Sequence, residues 1–88
     1  MLIRICTENK NRAQVGIEVG KYFDGYSLFQ GVGMWKGQVE HSLLIEIAVD
    51  TNHTIARAAA LALANDIKIL NKQEAVLVEF LPSENVMV

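Results

Sequence analysis

The chain opens on a two-residue alternation. Residues 1–7 read Met-Leu-Ile-Arg-Ile-Cys-Thr, with Ile3 and Ile5 on one side and Leu2, Arg4 and Cys6 on the other. That spacing predicts a strand with one wholly apolar face. In the polar run Thr7-Glu8-Asn9-Lys10-Asn11-Arg12, Asn9 and Asn11 are both of a type that accepts a backbone N–H, so a helix is expected from about Ala13. Val15, Val19, Tyr22 and Phe23 then recur at helical spacing, and Asp24-Gly25 supplies a turn that ends the helix. Residues 26–35 return to strand period, with Tyr26, Leu28, Gln30, Val32 and Met34 alternating against Ser27, Phe29, Gly31, Gly33 and Trp35. Two glycines on one face predict a bulge, a bend or a close approach by another backbone. Residues 36–40 read as a short connection containing Gly37. Residues 41–49 form a further strand with His41, Leu43, Ile45, Ile47 and Val49 on one face, antiparallel to the one before.

Asp50-Thr51-Asn52 is a cluster of capping residues ahead of the longest periodic stretch, a helix of about 18 residues. Its inward stripe is read as Ile55, Ala59, Leu63, Ile67 and Leu70, with Arg57, Ala64 and Lys68 pointing away. After Asn71-Lys72-Gln73-Glu74 a last strand covers residues 75–81 and stops at Pro82, which has no N–H for a ladder. The tail carries an apolar end, Val86-Met87-Val88, that is expected to dock. The order strand-helix-strand-strand-helix-strand predicts an α+β, ferredoxin-like βαββαβ domain over residues 1–88. Its four-stranded antiparallel sheet takes the order 4-1-3-2, with both helices on one face.

That arrangement sorts the strand residues. Ile3, Ile5, Leu43, Ile45, Ile47, Val76, Val78 and Phe80 belong under the helices, and Leu2, Arg4, Cys6, Leu44, Glu46, Ala48, Leu77 and Glu79 lie on the open face. Arg4 is expected between Glu46 and Glu79 as a cross-strand charge pairing. The apolar neighbours leave that face only half polar, so Leu2, Arg4, Leu44, Glu46, Leu77 and Glu79 are read as an interface between copies in a dimer or trimer. A solvated face with scattered leucines is the plainer alternative.

Length and composition narrow the classes. Eighty-eight residues suit one domain, and 51% hydrophobic with 20% charged residues describes a chain that folds. A net charge of −2 with scattered basic residues argues against binding a nucleic-acid duplex. One cysteine makes no internal disulfide, and no Cys or His pair has metal-ligand spacing, so neither a metal nor a cofactor is expected. No run approaches the roughly 20 apolar residues of a membrane span, and no signal-peptide pattern opens the chain. A cytoplasmic protein without membrane contact is expected.

Catalytic chemistry has few candidates. The histidines, His41 and His53, start a strand and a helix, and Cys6 has no His or Lys beside it in sequence to activate it. Asp66 lies within about a quarter turn of the inward stripe and reads either as a rim residue reaching water or as a buried, perturbed carboxylate. Gly31-Val32-Gly33 lacks the third glycine of a dinucleotide fingerprint. Anion-binding positions are the helix entries, Asn9, Lys10, Asn11 and Arg12 at the first and Thr51, Asn52 and His53 at the second, all of which are equally ordinary caps. The connection Trp35-Lys36-Gly37-Gln38-Val39-Glu40 holds the only Trp, either packed on an edge or forming one wall of a ligand or subunit contact.

The segment Trp35-Lys36-Gly37-Gln38-Val39-Glu40, with the Leu43-Leu44-Ile45 strand after it, resembles the Trp-x-Gly-x-x-Glu segment of CutA proteins. These are cousins of the PII signalling proteins in the trimeric ferredoxin-like group. The Ala-Ala-Cys and His-Pro-Tyr motifs of CutA proteins are missing, so a metal-tolerance role is not implied. The chain is also similar to small uncharacterised phage and bacterial proteins that share its Thr-Glu-Asn-Lys-Asn-Arg, Tyr-Phe-Asp-Gly-Tyr and Asn-Lys-Gln-Glu-Ala-Val-Leu-Val segments. The PII and CutA resemblance implies an assembly, commonly of three subunits, that binds small molecules or ions between subunits without covalent chemistry.

The function expected on these grounds is a non-catalytic, oligomeric small-ligand-binding protein, a sensor or a sequestering protein, for an anionic metabolite or nucleotide. The ligand-binding residues are Asn9, Lys10, Asn11, Arg12, Trp35, Lys36, Gln38 and Glu40. One alternative is a protein-interaction module, such as a phage-encoded inhibitor of a host enzyme, using the open face or the Trp35 hairpin. Another is a small enzyme with a subunit-interface site built on Asp66, His41 or Glu40.

Overall fold

A computed structural model describes residues 1–50 and 52–88, Trp35 by its backbone, and Thr51 lies outside the described residues. The elements are β1 (Leu2–Glu8), α1 (Arg12–Tyr22), β2 (Ser27–Trp35), β3 (Gln38–Ala48), α2 (His53–Asn71) and β4 (Leu77–Leu81). The strands form one antiparallel sheet in the order β2-β3-β1-β4, which read from the β4 edge is 4-1-3-2. Among the described residues no helix is long and apolar enough to cross a membrane.

Alternation along the two central strands decides what is inside. Ile3 and Ile5 of β1 and Leu43, Ile45 and Ile47 of β3 are buried beneath Val15 and Val19 of α1 and Leu63 and Ile67 of α2. Val76, Val78 and Phe80 pack against this core from the β4 side, partly buried. The guanidinium of Arg57 lies 4.5 Å over the Phe80 ring, so this exposed residue, flanking the buried face of α2, covers the β4 edge.

The helix ends rest on residues in left-handed backbone. Asn52 (φ 44) caps α2 by accepting a hydrogen bond from the Ile55 N–H at 3.3 Å. Asn11 (φ 50) stands at the cap position of α1 but makes no cap bond, because its side chain is turned toward α2. At the far end of α2 the N–H groups of Lys72 (φ 54) and Gln73 return to the carbonyls of Ile69 and Lys68, the Schellman pattern.

Several boundaries and faces differ from the sequence expectation. The β2–β3 connection is two residues, Lys36 (φ 47) and Gly37 (φ 76), rather than residues 36–40. Positive φ at both positions is the type I′ geometry that suits a tight hairpin, so β3 starts three residues earlier than expected. The ladder through Gly31 and Gly33 is unbroken, with no bulge. What approaches Gly31 is a side chain, the Ser42 hydroxyl, 3.1 Å from where a Cβ would stand. On α2 the buried residues are Ala56, Ala60, Leu63, Ala64, Ile67 and Asn71, while Ile55 is 64% exposed. Ile55 is therefore not inward and Ala64 is. The end of the tail is exposed and docks nowhere on its own chain, although Asn85 donates to the Val49 carbonyl at 2.9 Å.

Two further features follow from the register. Glu8 pairs with Ser42, so residues 32–35 and 38–41 run past the end of β1 as a two-stranded arm. The place where β1, α1, α2 and the approach to β4 converge holds a polar cluster. Asn11 Nδ2 donates to Asn71 Oδ1 at 3.0 Å, Asn71 Nδ2 donates to Gln73 Oε1 at 3.1 Å and to Thr7 Oγ1 at 3.4 Å, and the Thr7 hydroxyl donates to Gln73 Oε1.

Candidate functional site

The open face of the sheet is built from the even-numbered residues of β1 and β3 and their neighbours in register. Leu2, Arg4 and Cys6 stand beside Ala48, Glu46 and Leu44 on one side and beside Leu81, Glu79 and Leu77 on the other. β2 adds Ser27 opposite Glu46 and Phe29 opposite Leu44. Phe29 is about half exposed and is a member of this face that sequence reasoning left out. The signal is the Lys36-Gly37 pair, since a two-residue turn there sets the register that puts Phe29 beside Leu44, whereas a connection over residues 36–40 does not.

Arg4 is central to this surface. Its Nη2 and Nε both donate to Glu46 Oε2, at 3.0 and 3.3 Å, across the β1–β3 ladder. Arg4 also faces Glu79 in register but forms no ion pair with it, so the expected bridge between two carboxylates is one-sided. Glu79 is half-buried and has no ion pair among the described residues. Next along β1, burial pushes the Cys6 thiol above its ordinary value of 9.0, and the nearby carboxylates of Glu79 and Glu40 add to the effect. The thiol therefore stays protonated at neutral pH and is a weak nucleophile. Alkylation of Cys6 by iodoacetamide at pH 8 should be several-fold slower in the folded protein than in denaturant, and Glu79→Gln should speed the folded rate by the smaller share due to charge. Equal rates folded and unfolded would contradict this placement.

A shallow cleft of about 380 Å³ opens beside Glu46, lined by Leu2, Gly25, Tyr26, Ser27 and Ala48. The Tyr26 hydroxyl donates to the Gly16 carbonyl at 3.1 Å, which fixes its position against α1. A larger groove of about 480 Å³ runs between the end of α1 and the start of α2, with Tyr22, Asp24, Asp50 and Ile55 on its walls.

The ligand-binding residues expected from sequence fall into two separate places. Asn9 lies at the root of the arm, its N–H bonded to the His41 carbonyl at 3.1 Å, and Lys10 pairs with Glu8 at 2.8 Å. Asn11 is committed to Asn71, and Arg12 is exposed at the first turn of α1. Lys36 and Gln38 are at the arm's tip, three residues or roughly 10 Å from His41, with Glu40 between. Tip and root thus do not form one cleft. The side chain of Trp35 and the whole of Thr51 lie outside the described residues. Asn52 is a cap, and His53 lines a small cleft with Met1, Arg57 and Phe80.

Of the residues considered for an enzyme, His41 is exposed on the arm, and Asp66 is half-buried, accepting a hydrogen bond from the Tyr22 hydroxyl at 2.6 Å. That bond holds the Tyr22 phenol above its ordinary value of 10.0, with slight desolvation and the carboxylates of Asp66 and Glu18 adding to it. Asp66 is thus a partner of α1 at the helix-helix seam. Among the described residues no three His, Cys, Asp or Glu side chains stand together as metal ligands would.

No protein-family model and no curated protein matches the chain. Solved structures do match it. A phage SAM lyase in complex with S-methyl-5′-thioadenosine superposes with a TM-score of 0.60 at 18% identity, over 88% of this chain and 76% of that one. The de novo designed protein Foldit4 superposes with a TM-score of 0.51 at 22% identity, over 94% of each chain. At these identities the likeness is one of fold.

Proposed function

We propose that this chain is an oligomeric small-ligand-binding protein of ferredoxin-like architecture, and that its ligand is an adenosine derivative of the S-methyl-5′-thioadenosine type. The observation that supports this most is the likeness of its fold to a phage lyase that holds that nucleoside. Fold alone carries no chemistry, and a ligand of this kind requires a cleft with matching groups. The cleft beside Glu46 is within the size range of small-molecule sites and combines an aromatic wall, Tyr26, with a carboxylate able to accept from ribose hydroxyls. Its open side is where a second copy would complete it, in keeping with the resemblance of residues 35–47 to proteins that bind ligands between subunits.

Calorimetric titration with S-methyl-5′-thioadenosine and with S-adenosylmethionine, beside native mass spectrometry of untagged protein, tests the reading. Stoichiometric binding weakened about tenfold or more by Glu46→Gln is the expected result, the loss of one charge-assisted hydrogen bond. Failure of both compounds to bind folded protein at millimolar concentration would overturn it. Binding lost in a Lys10→Ala, Arg12→Ala double variant but kept in Glu46→Gln would move the site to the α1 entry.

A second reading, a small enzyme, is favoured by one feature. Glu79 is a carboxylate on the open face that Arg4 leaves without an ion pair. Incubation with S-adenosylmethionine and chromatography for released S-methyl-5′-thioadenosine decides it, with turnover abolished by Glu79→Gln as the supporting outcome.

A further inference from the structure

We infer that two copies of this chain join through the outer edge of β2, antiparallel about a two-fold axis, so that their sheets become one eight-stranded sheet. This deepens the oligomeric part of the reading above and is independent of any ligand.

The outer edge of β2 is an open strand edge. Its unpaired N–H and C=O groups template further pairing, and proteins guard such edges with charge, proline, bulges or short length. The edge at β4 is guarded in that way. It is five residues long, contains Glu79 and is closed by Pro82. The edge at β2 has none of these devices. Ser27–Trp35 is nine residues long, without one charged residue or proline, and its ladder to β3 has no bulge. Its outer side meets no other backbone among the described residues.

The side chains along the same strand argue for occupation as well. Phe29, Val32 and Met34 of β2 and Val39 of β3 are 48%, 69%, 66% and 59% exposed. Three of the four are on the arm, where a two-stranded ribbon has no third strand behind it and would be only marginally stable in water.

Charge and length choose the occupant. A second β2 brings no charge to the contact, so nothing in it repels its own copy, and in an antiparallel dyad each half of the strand meets the other half. Nine residues span roughly 30 Å, and an antiparallel copy of the same strand covers that edge along its whole length. Five-residue β4, with its glutamate, would leave half of that edge uncovered in a head-to-tail contact.

Sedimentation equilibrium on the full chain tests this, with Val32→Lys as the variant. Position 32 is already exposed, so the lysine leaves the monomer folded by circular dichroism while placing like charges near each other across the dyad. The expected result is a dimer whose dissociation constant rises by about 100-fold or more in Val32→Lys and is restored when Val32→Lys and Val32→Glu proteins are mixed. A control, Ile69→Lys on the outer side of α2, should leave the dimer intact. A dimer unaffected by Val32→Lys but broken by Leu44→Lys would overturn this inference while leaving an oligomer in place. So would a trimer, or a dimer lost on deleting residues 86–88. A monomer at millimolar concentration would overturn both.

Discussion

Replacing Asn71 with leucine should lower stability by about 2–4 kcal/mol, seen as a fall of roughly 10–25 °C in the thermal midpoint by circular dichroism. Asn71 is 3% exposed and uses both ends of its amide, accepting from Asn11 and donating to Gln73 and Thr7. Leucine fills a similar volume but can neither donate nor accept. The Thr7 hydroxyl oxygen, itself on a residue 3% exposed, and Gln73 Oε1 would each lose a donor in a place water does not reach freely. Asn11 is exposed and recovers a partner from solvent, which keeps the cost from being larger. A midpoint within about 3 °C of the parent would mean that water substitutes for the amide and that the cluster does not hold the four elements together.

The second large effect belongs to α2. Leu63→Ala should cost about 2–5 kcal/mol, the range for emptying a fully buried leucine site, which is a large fraction of the 5–15 kcal/mol that holds a domain of this kind together. Ile55→Ala and Leu61→Ala, at positions 64% and 56% exposed, should each stay within about 1 kcal/mol. Urea titration of the three variants separates the faces. An Ile55→Ala loss as large as that of Leu63→Ala would restore the inward stripe expected from sequence.

That stripe shows where sequence reading ran out. Residues 58–60, 62 and 64 are all alanine, so the helix offers little contrast between a face that is buried and one that is merely small. The large side chain of Ile55 draws the reading, yet it lies about 130° around the axis from the centre of the buried face, and the whole expected stripe is turned by about 70°. The buried asparagine was hidden for the same reason, since a polar residue beside Lys72 reads as the end of a helix. Its partner Asn11 is 60 residues away, and no local pattern reports a contact of that range. The strands were easier. Strict alternation in β1 and β3 assigned both faces of the sheet residue by residue, including the Arg4 and Glu46 pairing. The hairpin turn and the flanking glycines are less legible, because residues 38–40 carry no alternation of their own and take their strand structure from pairing with residues 33–35. The site was legible as a face and not as a cleft. Tyr26 and Gly25 reach Glu46 through the chain's return from α1, a path fixed by packing rather than by periodicity.

The order of strands also determines how far the molecule can be divided. Its two halves, β1-α1-β2 and β3-α2-β4, each look like a unit in sequence, yet neither half contains two adjacent strands. β1 lies between β3 and β4, and β3 lies between β2 and β1, so every ladder in the sheet joins one half to the other. Cut at the hairpin turn, the chain would yield two fragments without a single internal strand pair, each able to fold only around the other. The domain is an interlocked pair rather than two repeats side by side.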